Sequence, residues 1–94
     1  MKSVNADIDK INDFIRDLKR HTETLITANK SIILKLNNLN YYWKDKAYDK
    51  YKEEFLKENN VMAKKQEEFY NLKIKELESK VRELEEFLEK LNRR

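Results

Sequence analysis

Tyr41-Tyr42-Trp43-Lys44-Asp45-Lys46-Ala47-Tyr48-Asp49-Lys50-Tyr51-Lys52-Glu53-Glu54-Phe55 is the stretch on which the fold turns. It carries the only Trp and four of the five Tyr, near the midpoint of 94 residues. On both sides the sequence reads as helix. A cluster of large rings at the centre of a small helical chain marks the place where the chain folds back. Asp45 suits the N-cap of a following helix, with its carboxylate at the positive end of that helix. Asp also tolerates left-handed backbone better than most residues, which a sharp reversal here could use. The expectation is a turn at 44–45.

Upstream, the apolar residues fall into two rows that alternate by three and four. One is Val4, Ile11, Leu18, Leu25, Ile32 and Leu39; the other is Ile8, Ile15, Thr22, Asn29, Leu36 and Trp43. This is a heptad seam along one helix, interrupted by Thr22 and Asn29. Phe14, Ala28 and Tyr42 widen it on one flank, Ile26 and Ile33 on the other. A stripe this wide exceeds what one neighbour covers. Downstream, Tyr48, Tyr51, Phe55, Met62, Phe69 and Leu72 share a face. A second seam follows, offset by a step: Ile74, Leu77, Val81, Leu84, Leu88 and Leu91. Glu76–Lys80, Glu78–Arg82, Glu86–Lys90 and Glu89–Arg93 stand in the favourable order four apart.

Composition agrees with this. There is no Gly, no Pro and no Cys, so the usual punctuation of β-turns is missing, and disulfides and thiolate metal sites are excluded. Charged residues make up 41%, and the net charge of +3 comes from 21 basic and 18 acidic residues interspersed along the chain. That is the pattern of solvated helix faces. The segment Met1–Asp7 lacks the apolar core of a signal peptide, and the longest aliphatic run, Ile32-Ile33-Leu34, is far too short to span a bilayer. The expected localisation is cytoplasmic when made, with any export following a route that needs no cleaved signal.

Enzyme chemistry finds little purchase, and the expectation is a non-enzymatic protein with no cofactor, no metal site and no catalytic residue. His21 is the only His and has no Glu three residues before it, so the carboxylate-bridged metal motif of helical bundles is missing. No Gly-rich loop can cradle phosphate. Lys44, Lys46, Lys50 and Lys52 interleave with tyrosines, a pattern of single-strand nucleic-acid binders. Asp45, Asp49, Glu53 and Glu54 interleave too, which disfavours nucleic acid, and a membrane-surface role ranks no higher.

With Trp43, Ala47, Tyr51 and Phe55 spaced by four, and Leu36 and Leu39 upstream, the chain resembles the WXG family of small helical-hairpin proteins of type VII (ESX-type) secretion. That family has Trp-x-Gly at the turn between antiparallel helices, then a small residue and aromatics at steps of four. The likeness covers nearly the whole length in helix layout but about 20 residues in motif. Trp43-Lys44-Asp45 stands where the family has Trp-x-Gly. The resemblance makes Trp43, Asp45, Ala47, Tyr51 and Phe55 the turn or recognition motif. The family's export signal, Tyr-x-x-x-Asp/Glu after the second helix, has its only match at Tyr41–Asp45, within the turn. The resemblance then implies a partner or co-secreted targeting factor whose export signal comes from elsewhere, with a larger secreted toxin and the secretion ATPase as further partners.

Together these readings give an all-α, single-domain antiparallel two-helix hairpin over 1–94, with helices 4–43 and 46–91, assembling as a four-helix dimer. The partner is another copy or another small helical hairpin. The expected interface is Phe14, Leu25, Ile26, Ile33, Leu36, Leu39 and Tyr42. The rival reading is a cytoplasmic coiled-coil adaptor. Ile74, Val81 and Leu88 alternating with Leu77, Leu84 and Leu91 is a parallel-dimer pattern, with Lys73–Glu78 and Lys80–Glu85 attractive across it.

Overall fold

The computed structural model describes residues 3–93. Among these there are two α-helices, α1 (Val4–Asn38) and α2 (Lys46–Asn92), a 3-10 turn at Leu39–Tyr41 between them, and no strand. The protein is therefore all-α, with the two-helix layout of a hairpin. Ser3 starts α1: its hydroxyl accepts from the Ala6 amide at 3.1 Å and its carbonyl from the Asp7 amide at 3.1 Å. That satisfies donors a helix start would otherwise leave orphaned.

The helix expected to run from 4 to 43 ends at Asn38 instead. From there the chain tightens. The Leu39 carbonyl accepts from both the Tyr42 and the Trp43 amides at 3.0 Å. Asn37, Asn38 and Asn40 are poor helix formers, because their side chains compete for backbone groups. The connection spans 42–45, two residues longer than expected, and α2 ends at Asn92 where 91 was expected. No described residue has a positive φ. The left-handed option at Asp45 is therefore unused, which explains how the turn forms without Gly.

The chain divides into two compact units. The first comprises the described residues up to His21 and from Phe69 onward. Its core is Ile8, Ile15, Ile74 and Val81, all buried, with Val4, Ile11, Leu18, Leu77, Leu84 and Leu88 packed against it. Burying each such aliphatic side chain contributes about 1.5–3 kcal/mol. Lys19 reaches Glu78 at 3.8 Å, and the His21 ring meets Tyr70 edge-on at 5.2 Å between centroids. Of the pairs expected at steps of four, Glu89–Arg93 forms. Glu76 pairs with Lys73 instead, Lys80 with Glu83, and Glu78 across to Lys19. These exposed pairs choose among near-equal partners, because each is worth under ~1 kcal/mol.

The second unit is Thr22–Glu68, the closed end of the hairpin. Leu36 and Tyr48 are buried; Thr22, Leu25, Asn29 and Ile33 on α1, and Phe55, Leu56, Asn59 and Ala63 on α2, are half-buried. Ile32, expected in the seam, is 47% exposed, and Met62 is 57% exposed. The reason lies in helix geometry. A strict seven-residue row drifts about 20° per heptad on a straight helix, hence about 80° from Val4 to Ile32. The seam passes to Ile33 and Leu36, and the heptad row leaves it. The row Tyr48, Phe55, Met62 behaves alike: buried, half-buried, exposed.

Candidate functional site

The candidate site is built on the turn. Asp45 Oδ1 accepts two hydrogen bonds, from the Tyr48 amide at 3.1 Å and from the Trp43 indole N–H at 2.8 Å. The first makes Asp45 the N-cap of α2, because Tyr48 is the third residue of that helix. The second ties the indole down over the helix start. Backbone bonds from the Tyr48 and Asp49 amides to the Asp45 carbonyl complete the cap. One carboxylate thus fixes both the direction of α2 and the placement of Trp43.

Tyr48 fastens the other helix. It is the largest fully buried side chain, at 2% exposure. Its hydroxyl donates to the Leu36 carbonyl at 2.7 Å and lies 3.5 Å from that of Asn37. Both carbonyls belong to the last turn of α1, where a helix end leaves acceptors unfilled. Sequence reading placed Tyr48 on the apolar face of α2 and missed this role. The available signal was a Tyr three residues after a capping Asp, where the ring can lean back against the preceding helix.

From there the rings run as a ladder along α2. Trp43 meets Tyr48 edge-on at 5.6 Å and lies tilted 6.0 Å from Tyr51; Tyr51 lies 6.2 Å from Phe55. Aromatic pairs at such spacings add ~0.5–1.5 kcal/mol each beyond their burial. Of the expected motif, Trp43, Asp45, Tyr51 and Phe55 come together in this way. Ala47 is exposed, one turn before Tyr51. Trp43 and Phe55 are half-buried, and Tyr51 keeps half its surface exposed. Tyr41 and Tyr42 are both exposed, Tyr42 at 91%.

The expected interface residues separate into groups. Leu36 is buried within the second unit, and Leu25 and Ile33 are half-buried in its seam, so these three serve the chain's own packing. Phe14, Ile26, Leu39 and Tyr42 are exposed. In the first unit, Asp9, Asn12, Asp13, Ile15, Arg16, Lys19 and Glu78 line an open cleft rich in charge. Its charges are partly paired: Arg16 with Asp13, and Lys19 with Glu78. Apart from the buried Ile15 and half-buried Glu78, its lining is exposed helix surface. Among the described residues no helix is long and apolar enough to cross a membrane. Compared with known proteins, the chain matches no family model, no curated protein and no solved structure.

Proposed function

We propose that this chain is a non-enzymatic helical partner protein of type VII secretion, one that pairs with a second small hairpin and helps present a larger secreted substrate. The observation that supports this reading most is the turn. Trp43 is anchored by Asp45 beside Tyr48 and Tyr51, at the point where the WXG family, which the sequence resembles, carries Trp-x-Gly. Asp45 takes over as a cap what Gly would give as freedom. A half-buried, anchored indole next to exposed tyrosines suits recognition by another protein, since such rings present large contact area with little ordering cost. The chain is made in the cytoplasm on this reading, and its export signal comes from the partner. Its assembly is a four-helix dimer, formed with itself or with another small hairpin. The secretion ATPase and a long toxin are the larger partners.

The rival reading, a cytoplasmic adaptor dimerising through Ile74–Leu91, needs a free seam there. Ile74 and Val81 are buried against Ile8 and Ile15 of α1, with Leu77, Leu84 and Leu88 packed on the same cluster. A parallel dimer through that seam would have to displace α1.

Affinity purification from the native host, read by mass spectrometry, tests the proposal. Recovery of a secretion ATPase, a second hairpin or a long toxin, lost with Trp43→Ala while helicity is kept, is the expected result. Recovery of only the chain itself, unchanged by Trp43→Ala and lost with Leu84→Lys, would favour the adaptor.

A further inference from the structure

The second unit is fastened at the turn and loose away from it. Its buried residues are Leu36 and Tyr48, both at the turn. No residue of 22–35 or 49–68 is buried. The first unit, in contrast, closes a core of Ile8, Ile15, Ile74 and Val81. The cause is in the side chains. Where the first unit has aliphatic seam residues, the second has Thr22 and Asn29 on α1, and Asn59, Ala63 and Gln66 on α2. The Asn59 side-chain nitrogen is buried there with no hydrogen-bond partner. One aliphatic side chain buried at such a position would shift an opening equilibrium by about 10–100-fold, and these positions forgo it. The backbone of α1 is weak over the same stretch. Thr22, Thr24, Thr27, Asn29 and Ser31 are poor helix formers, because Ser and Asn side chains compete for backbone groups and Thr loses side-chain freedom. Ile26, Ile32 and Ile33 are β-branched and add little. Glu76–Lys90 of α2 is mostly Glu, Lys, Arg and Leu, which favour helix.

We infer that residues 22–33 of α1 are a built-in weak segment, which unwinds and parts from the α2 seam at Asn59 and Ala63 while the core of the first unit stays closed. The turn stays clasped by the Tyr48 hydroxyl on the Leu36 carbonyl. Opening bares Leu25 and Ile33 of α1, and Phe55 and Leu56 of α2, all half-buried in the closed form. The chain thus holds a section that opens without undoing either its core or its turn, as a local unfolding unit. This is a property of the chain alone and independent of any partner.

Native-state hydrogen exchange of the full chain, followed by nuclear magnetic resonance at rising urea below the unfolding transition, tests this. Relative to unfolded-peptide rates, amides of 24–33 should exchange at least about tenfold faster than those of 12–18 and 74–84. Their opening should depend little on urea, because little surface is exposed. Ile15→Val should speed exchange at 12–18 and 74–84 by about fivefold and leave 24–33 unchanged, because the weak segment opens without the first unit. Asn59→Leu should slow 24–33 by about tenfold, with sedimentation at the same concentration showing no added association. If that variant associates, Thr27→Ala with Ser31→Ala, which strengthens the helix from its exposed side, should slow the same amides by about threefold. Equal protection at 24–33 and 12–18, an equal response of both to Ile15→Val, or exchange at 24–33 indifferent to the seam and helix variants overturns the inference.

Discussion

Tyr48 and Asp45 do at the turn what Gly and Pro do in other chains. The Tyr48 hydroxyl is buried and its acceptor is the Leu36 carbonyl. Tyr48→Phe keeps the ring and removes only that donor. The expected loss is about 1–2 kcal/mol, since a buried carbonyl is left short of a partner, measured by urea unfolding. Asp45 should be more sensitive than its exposure suggests. Asp45→Ala removes the cap and the indole anchor together, and about 1–2 kcal/mol should go. Asp45→Gly separates the two. Gly is a tolerable cap, within a few tenths of a kcal/mol of the better ones, so the remaining loss reports the Trp43 bond, and the Trp43 emission should shift toward that of an exposed indole. Equal stability of Asp45→Gly and the parent chain would remove the anchoring role. The cap was legible in the sequence, because an Asp just before a new apolar phase is a helix-start signal. The Tyr48–Leu36 bond was not, because no spacing rule says which carbonyl a buried hydroxyl meets across a turn.

At the scale of the helices, the seams near the chain ends were readable and those near the turn only in part. Ile74, Leu77, Val81, Leu84 and Leu88 step by three and four and all pack on the first unit's core cluster. Ile32 and Met62 belong to equally regular rows yet lie exposed. Whether a seven-residue row stays in the seam depends on how far the helices supercoil, and residue types do not report that. Asn29 and Asn59 lie half-buried on facing seams of the second unit, and the Asn59 side-chain nitrogen is buried without a hydrogen-bond partner. An unpaired amide there lowers stability. Asn59→Leu should raise the unfolding free energy by about 1–2 kcal/mol, read from the urea midpoint at unchanged slope. A loss of stability would mean that the amide holds a water or a partner that matters.

For the molecule as a whole, the account rests on the chain doubling back on itself at the ring cluster. The absence of Gly and Pro makes one uninterrupted helix the natural competitor, because nothing in the composition breaks it. What decides for the hairpin is the set of contacts at its closed end, Tyr48 to Leu36 above all. On the function proposed here, the exposed apolar surface left by a two-helix core is what a partner covers. The most direct test is an isotope-filtered nuclear Overhauser experiment on a mixture of labelled and unlabelled chains. The account predicts strong cross-relaxation between the Tyr48 ring and the Leu36 side chain within one chain. Its absence, or its appearance only between labelled and unlabelled chains, would contradict the hairpin and everything built on it.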